Sequence, residues 1–239
     1  MSALVAGAPD HPLWETSVDL GLLTAPDPAA RLGPALAAIR AALARWAPLR
    51  LVVATGEVAR ARPELGSVLD EWREAVWLLS GEEEARVAWW GEQARHAEPV
   101  TVIDVGGGST EVVAPDRSVS LPVGAARPPA GPLPPLWSAT GRVVALGGTA
   151  AALARYAGQP RLSRAALARF AAAPPDVGSL VHALGVSELR ATLLPDGAAC
   201  LGAVLDGLGV ETVEVSPRDL RHGLWLAAAL GRGRLWSGP

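Results

Sequence analysis

The sequence predicts an α/β protein, because short β-prone runs alternate with segments that repeat apolar residues at helical spacing. Half of the 239 residues are hydrophobic and 19% are charged, a composition typical of a globular protein with a sizeable core. This length allows one large domain or two small ones.

The first half of the chain is predicted to begin with a strand pair. Residues 3–6 and 13–20 are β-prone and are separated by a turn rich in Pro, Asp and His. Leu32, Leu36 and Ile39 have helical spacing, which predicts a helix over 28–46. The next predicted elements are a strand at 51–54, a helix at 63–76, a strand at 76–79, a helix at 80–97, and strands at 100–105 and 110–114.

The second half is predicted to begin with a linker, because residues 122–140 contain six prolines and few periodic apolar residues. This linker separates a predicted N-terminal domain, 1–121, from a predicted C-terminal domain, 122–239. The elements predicted beyond it are a strand at 142–146, a helix to Tyr156, helices at 163–173, 176–185 and 196–208, a strand at 211–215 and a helix at 219–230.

Charge and cysteine content exclude several classes of function. A net charge of −3 argues against a nucleic-acid or anionic-membrane surface. Apolar runs such as 223–230 are too short to span a bilayer, and no signal peptide is expected at the start. The single cysteine, Cys200, excludes an internal disulfide, lies in a sequence typical of a helix core, and is consistent with the cytoplasm. The scattered histidines lack zinc-site spacing.

The sequence V-I-D-V-G-G-G-S-T-E-V-V at 102–113 predicts a strand, a wide glycine turn and a second strand. A dinucleotide-binding or P-loop motif would run from strand to helix, so neither is indicated. Glycines at 106–108 allow positive φ and leave their N–H groups open to an anion. Asp104 is a candidate Mg²⁺ ligand and Ser109 a candidate phosphate donor; the alternative is a hairpin without a ligand.

Two further stretches contain candidate site residues. V-V-A-L-G-G-T-A at 143–150 runs from strand to helix, so Gly147 and Gly148 would open a helix N-terminus to an anion, with Thr149 as its cap. L-L-S-G-E-E-E-A-R at 78–86 fits a capping box of Ser80 and Glu83. A capping box needs one carboxylate and three are present, so Glu84 is a candidate base for activating water.

Taken together, these stretches resemble the Ppx/GppA family, the exopolyphosphatases and guanosine pentaphosphate phosphohydrolases of the actin/Hsp70/sugar-kinase superfamily. The matching segments are D-V-G-G-G-S-T-E at 104–111, S-G-E-E-E-A-R at 80–86 and L-G-G-T-A-A-A-L-A at 146–154. Weaker similarity lies in A-T-G-E-V-A-R at 54–60 and L-R-H-G-L at 220–224, where His222 replaces a usual Glu.

The resemblance implies two ribonuclease-H-like domains, the second one reduced, around a cleft that hydrolyses phosphoanhydrides with Mg²⁺. Glu84 would activate water, Arg60 would line the phosphate channel, and Arg86 would support the segment carrying Glu84. Asp104 would place the metal, while the two glycine segments with Ser109 and Thr149 would bind phosphate. Inorganic polyphosphate or a guanosine polyphosphate would be the substrate, and a homodimer is left open.

The sequence departs from the family at the first phosphate loop, D-x-G-[ST]-N. No Asn occurs anywhere in the chain, so this motif is missing. Either the start codon is assigned too late, or the loop has been lost together with much of the catalysis. Loss would expose an apolar sheet edge, which favours the first explanation. The second leaves a regulatory protein that binds phosphate or nucleotide without turnover.

Overall fold

The computed structural model describes residues 2–5, 14–17, 20–22, 25–44, 53–55, 62–70, 76–139 and 141–229. The chain divides into two compact units. The first comprises Met1–Gly7 and Pro12–Gly81, and the second comprises Ala8–His11 and Glu82–Pro239.

The first unit contains two separate two-stranded sheets. Strand β1 (Ser2–Val5) pairs antiparallel with β2 (Trp14–Ser17), and β3 (Val53–Thr55) pairs parallel with β4 (Val76–Leu78). Helix α1 (Pro28–Leu43) begins where Asp27 accepts a hydrogen bond from the Ala30 N–H. A 3₁₀ turn at Pro63–Leu65 leads into the short helix α2 (Gly66–Asp70). The buried core of this unit is formed by Leu32, Leu36, Leu65 and Leu69.

The second unit is built on one six-stranded sheet in the order β7-β6-β5-β8-β10-β9. Its strands are β5 (Val100–Val105), β6 (Thr110–Ala114), β7 (Arg117–Leu121), β8 (Arg142–Leu146), β9 (Arg161–Ser163) and β10 (Thr212–Val215). Its helices are α3 (Gly81–Gln93), α4 (Gly147–Ala157), α5 (Arg164–Ala172), α6 (Val177–Leu184), α7 (Glu188–Leu208) and α8 (Leu220–Ala229). Strands β5, β8 and β10 are parallel to one another. Strand β6 pairs antiparallel with β5, β7 pairs antiparallel with β6, and β9 pairs antiparallel with β10.

The two faces of this sheet are buried against different helices. Ile103 and Val105 of β5 pack in a large core with helices α4 to α7. Val100 and Val102 pack in a smaller core with Ala88 of α3 and Leu220 of α8. Because side chains alternate along a strand, Asp104 belongs to the face of Val100 and Val102. The sequence period therefore directs this carboxylate towards the face that α3 and α8 cover.

The predicted α/β class is confirmed, and most predicted elements of the second unit occur within a few residues of their predicted bounds. The structure differs from the predicted elements in three places. Helix α7 begins at Glu188, well before the predicted start at 196, because Ser187 caps it and Pro195 is tolerated inside it. The predicted helix at 63–76 forms only α2 within the described residues. The short strands β7 and β9 have no distinct sequence pattern and were not predicted.

The domain boundary predicted between residues 121 and 122 falls inside the six-stranded sheet. Strands β5 to β7 lie before it and β8 to β10 after it, yet β5 pairs directly with β8. The proline-rich segment predicted as a linker packs on the second unit, where Leu136 donates its N–H to the Gly207 carbonyl (2.9 Å). Proline fixes backbone geometry without preventing such packing, so its frequency does not mark a boundary here.

Helix α7 is the central helix of the second unit. Among the described residues it alone is long and apolar enough to cross a membrane by length and composition. Half of its most apolar window is buried, and its buried residues include Leu194, Ala198, Leu201 and Leu205. Packing against α4, α5 and the sheet therefore accounts for its apolar character.

Candidate functional site

Three segments of the second unit follow the carboxyl ends of its parallel strands. Gly106–Ser109 follows β5, Gly147–Thr149 follows β8, and Ser216–Asp219 follows β10. Carboxyl ends of parallel strands lie at one edge of a sheet, where ligands of open α/β sheets bind. This edge is the candidate functional site.

The turn between β5 and β6 presents free backbone donors. Gly106 donates its N–H to the Ser109 carbonyl at 2.9 Å, which closes the turn. The N–H groups of Gly107, Gly108 and Ser109 have no acceptor among the residues that the structure describes. Successive free N–H groups of this kind form an anion site. The turn does not use the positive φ that glycine allows, since none of Gly106–Gly108 is among the positive-φ residues.

Close packing by a second turn explains the need for small residues here. Ala125 and Ala126 donate their N–H groups to the carbonyls of Gly106 (2.9 Å) and Gly107 (2.7 Å). A Cβ on Gly124 would lie 2.7 Å from each of those two oxygens. We call residues 124–127 the clasp turn, because these contacts hold the glycine turn in place.

Cys200 of α7 supports the clasp turn and is buried, as predicted. Its Sγ donates to the Gly124 carbonyl at 3.3 Å. Burial, with a smaller contribution from Asp196, raises the pKa of the thiol to about 11. A thiol with this pKa is a poor nucleophile at neutral pH, so Cys200 has a packing role.

Helix α4 begins at Gly147, and its first-turn N–H groups have no acceptor within the helix. Gly147 has φ +84°, and a Cβ there would lie 2.4 Å from Oδ1 of Asp104. The prediction that Thr149 caps this helix is wrong. Leu146 occupies the N-cap position without a side-chain bond, and Thr149 donates its hydroxyl to the Val105 carbonyl at 3.0 Å. Thr149 therefore joins α4 to the end of β5.

Arg190 adds a cation that sequence analysis missed. A Cβ on Gly148 would lie 2.3 Å from its Nη1 atom and 3.0 Å from Cζ, so the guanidinium group lies against the first turn of α4. Arg190 belongs to α7, far from the glycine segments in sequence, and no local pattern marks it. Its position beside free N–H groups favours an anionic ligand.

Acidic residues form a row across the sheet next to these donors. Asp104 of β5 pairs in register with Glu111 of β6, and Glu111 pairs with Ser120 of β7. Glu111 is buried and accepts a hydrogen bond from the Ser120 hydroxyl at 2.9 Å. Sequence analysis assigned no role to Glu111. A four-residue turn between paired strands places Asp104 and Glu111 opposite each other, so their spacing in the sequence could have predicted this contact.

The environment of Asp104 strongly disfavours its charged form. Burial, followed by repulsion from Glu111, Asp219 and Glu84, raises its pKa from 3.8 to about 8. The structure therefore brings Glu84, in the first turn of α3, within electrostatic range of Asp104. Like charges gathered around a desolvated carboxylate are a common feature of functional sites.

Asp219 is the counterpart of Asp104 in the segment after β10. Burial alone would raise its pKa, but hydrogen bonds from His222 and Arg221 outweigh this effect and lower it to about 2. Arg221 Nε lies 2.7 Å from Asp219 Oδ2, and His222 Nδ1 lies 3.2 Å from Asp219 Oδ1. Asp219 also accepts the Arg221 N–H at 3.0 Å. His222 lies three residues after Asp219, at the sequence position that Glu or Gln occupies in a capping box.

Two other residues were predicted to belong to the site. Arg60 lies outside the described residues. Arg86 is exposed and pairs with Glu82 at 3.6 Å, although a role in supporting the segment of Glu84 was expected. An exposed pair of this kind contributes little to stability.

Magnesium at Asp104 stays a prediction, and the surrounding residues fit an ion that is held by few protein ligands. Within the described residues, no three His, Cys, Asp or Glu side chains are grouped closely enough to hold a metal ion. Mg²⁺ usually takes one or two carboxylates and completes its shell with water and phosphate oxygens. A cation would also relieve the repulsion on Asp104.

Comparison with known proteins agrees with this arrangement. The family model described as Ppx/GppA phosphatase family matches residues 49–128, which include Glu84, Asp104 and the glycine turn. No curated protein sequence matches the chain.

Solved structures share the fold. The Ppx/GppA family member from Aquifex aeolicus is 19% identical with a TM-score of 0.70, covering 93% of this chain and 90% of that chain. An exopolyphosphatase from Cytophaga hutchinsonii is 17% identical with a TM-score of 0.76, covering 92% of this chain and 90% of that chain. The resemblance of the sequence to the Ppx/GppA family is therefore confirmed, by the family model over residues 49–128 and by the fold over more than nine-tenths of the chain.

Proposed function

We propose that this protein hydrolyses the terminal phosphoanhydride bond of inorganic polyphosphate or a guanosine polyphosphate. One observation carries the proposal: the N–H groups of Gly107, Gly108 and Ser109, which have no acceptor among the described residues, lie just beyond Asp104, a buried carboxylate that the charge of Glu84 also repels. A donor-rich turn beside carboxylates suits a ligand that carries negative charge and is attacked by water. The names of the solved relatives, which include an exopolyphosphatase, agree with this class of substrate.

Most of the catalysis would be positioning and charge stabilisation. The free amides of the glycine turn, the first turn of α4 and the guanidinium group of Arg190 would hold the terminal phosphoryl oxygens. Asp104 would hold Mg²⁺ together with phosphate oxygens, and the ion would neutralise charge on the transferring group. These contacts are the ones that strengthen as negative charge spreads over the phosphoryl oxygens.

Glu84 would act as general base. A water oxygen forms a bond to the terminal phosphorus, and the bond from that phosphorus to the bridging oxygen breaks. The water proton passes to the Glu84 carboxylate, and the products are orthophosphate and a chain shortened by one phosphate. A general base of this type contributes roughly 10²- to 10⁴-fold in rate.

The test is phosphate release from polyphosphate and from guanosine pentaphosphate. Glu84→Gln should lower kcat at least roughly 100-fold and leave binding of the same compounds largely intact. Glu82→Gln is the matched control, since Glu82 lies in the same helical turn but is exposed and paired with Arg86. Full turnover by Glu84→Gln would show that Glu84 is not the base. Binding without any turnover in the unsubstituted protein would favour the regulatory alternative.

A further inference from the structure

Helix α3 contains a second carboxylate that the proposed reaction does not use. Glu92, near the end of α3, is only 1% exposed. Burying a carboxylate is costly unless hydrogen bonds and cations compensate it. Its contacts therefore indicate what it holds together.

These contacts join α3 to the segment after β10. Glu92 Oε2 accepts a hydrogen bond from the Ser216 hydroxyl at 2.6 Å. Its other oxygen, Oε1, lies 2.8 Å from His96 Nε2 and 3.3 Å from Arg95 Nη1. The Ser216 oxygen accepts in turn from the Arg218 N–H at 3.0 Å.

Two further contacts join α3 to the segment after β10 and to helix α8. The buried Arg218 side chain donates to the Gly91 carbonyl at 2.8 Å. A Cβ on Gly91 would lie 2.8 Å from the Gly223 nitrogen, and one on Gly223 would lie 1.9 Å from the Val87 carbonyl oxygen. Helices α3 and α8 therefore touch backbone to backbone, and the Glu92 contacts set their relative position.

Both joined elements carry an acid that acts on Asp104. Glu84 lies in the first turn of α3, and Asp219 ends the segment that starts at Ser216; both are close enough to repel the Asp104 carboxylate. The segment is also fixed to the sheet, since Ser216 donates its N–H to the Ala145 carbonyl at 2.9 Å. Glu92 follows Glu84 by eight positions of helix, a rise of about 12 Å, so Glu92 cannot contact a phosphate held beside Glu84.

We propose that Glu92 is a positioning residue that fixes Glu84 and Asp219 relative to each other around Asp104. The role of Glu84 in this inference rests on the proposed function. The structural role of Glu92 does not: its buried side chain anchors one end of α3 and so sets the position of the carboxylate at the other end. Catalysis depends steeply on such positions, because a misplacement of about 1 Å can cost about 100-fold in rate.

The test is Glu92→Gln, which keeps the shape of the side chain and removes its charge. We expect kcat to fall roughly tenfold or more, with KM changed by less than about twofold. In a Glu84→Gln background the same substitution should cause no further loss, because its effect passes through Glu84. Glu98→Gln is the control, since Glu98 is an exposed acid close by that pairs with Arg142. The proposal would be overturned if Glu92→Gln left kcat unchanged, or if it lowered kcat as much in the Glu84→Gln background as it does alone.

Amide hydrogen exchange supplies a readout that needs no turnover. Glu92→Gln should accelerate exchange at Arg218, whose N–H is bonded to Ser216, and at the α3 turn that follows Glu84. Faster exchange at Arg218 alone would overturn the inference, since the two elements would then not be coupled. Absence of turnover in the unsubstituted protein would refute the proposed function, and the exchange result would still decide the role of Glu92.

Discussion

The guanidinium group of Arg190 lies against Gly148, so closely that a methyl group on Gly148 would come within 2.3 Å of Nη1. One residue is in the first turn of α4 and the other in the first turn of α7. The contact therefore brings a cation to the helix N-terminus beside the glycine turn. A backbone without a side chain at position 148 is what makes room for it.

Gly148→Ala should weaken phosphate binding without weakening the fold. Alanine is favoured over glycine in helices by up to about 1 kcal/mol, and the terminal atoms of Arg190 are able to move aside. Displacing the guanidinium group should raise the Kd for inorganic phosphate roughly tenfold, the usual scale of one charge-assisted hydrogen bond. Calorimetric titration measures the Kd, and thermal unfolding checks stability.

Arg190→Gln is the matched variant for this prediction. It should raise the Kd by a similar factor, and combining it with Gly148→Ala should add little, because both remove the same interaction. Fully additive losses would show that Gly148 acts through something other than Arg190.

Asp104→Asn should change how stability depends on pH. The unfolded chain loses this proton near pH 4, whereas the folded protein keeps it up to about pH 8. The contribution of Asp104 is therefore complete below pH 4 and is lost as the pH rises to 8. We expect Asp104→Asn to raise Tm at pH 8 relative to the unsubstituted protein without metal, with little difference at pH 4.

Magnesium should act in the same direction as that substitution. If Asp104 binds the ion, Mg²⁺ should raise Tm of the unsubstituted protein at pH 8 and leave Asp104→Asn unchanged. For a chain of this size, about 1 kcal/mol corresponds to about 2–4 °C in Tm, which differential scanning calorimetry resolves easily. An equal rise in both proteins would place the ion elsewhere.

Gly124→Ala should disrupt the glycine turn, against which the clasp turn packs. Its Cβ would lie 2.7 Å from the carbonyl oxygens of Gly106 and Gly107, and backbone atoms cannot move aside as a flexible side chain can. We expect a loss of stability of about 1–3 kcal/mol, typical of overpacking, together with weaker phosphate binding. Urea unfolding and calorimetric titration measure the two effects. Gly131→Ala is the control, because nothing lies within 4 Å of a Cβ at that exposed position.

The sequence was sufficient to predict the strands and turn that carry the site. Strong β-prone runs on both sides of Gly106–Gly108 left little alternative to a strand, turn and strand, and the alternation along β5 determines which face Asp104 occupies. Glu84 and Asp104 were both chosen from sequence and are brought within electrostatic range of each other.

What the sequence could not supply are contacts between distant segments. Arg190 and the clasp turn reach the site through tertiary packing, which leaves no local periodicity. The domain boundary was misplaced for the same reason, since the pairing of β5 with β8 spans the proline-rich segment. The cap of Thr149 was a local inference, and the bond from the Thr149 hydroxyl to the Val105 carbonyl explains why it does not form.

Arg221→Gln should make the protein more sensitive to acid. Hydrogen bonds from His222 and Arg221 lower the pKa of Asp219 to about 2, below its ordinary 3.8. Asp219 therefore contributes stability above pH 4 that is lost as the pH falls towards 2. Removing the Arg221 guanidinium group should raise the pKa of Asp219 and cost about 1–3 kcal/mol at pH 7, the range for a hydrogen bond to a charged group.

Urea unfolding at pH 7 and at pH 2.5 should show a large difference in stability between Arg221→Gln and the unsubstituted protein at the higher pH and a smaller one at the lower. Arg86→Gln, which removes an exposed pair with Glu82, should show almost no difference at either pH. A loss of equal size at both pH values would mean that Arg221 stabilises the fold by packing and not through the charge of Asp219.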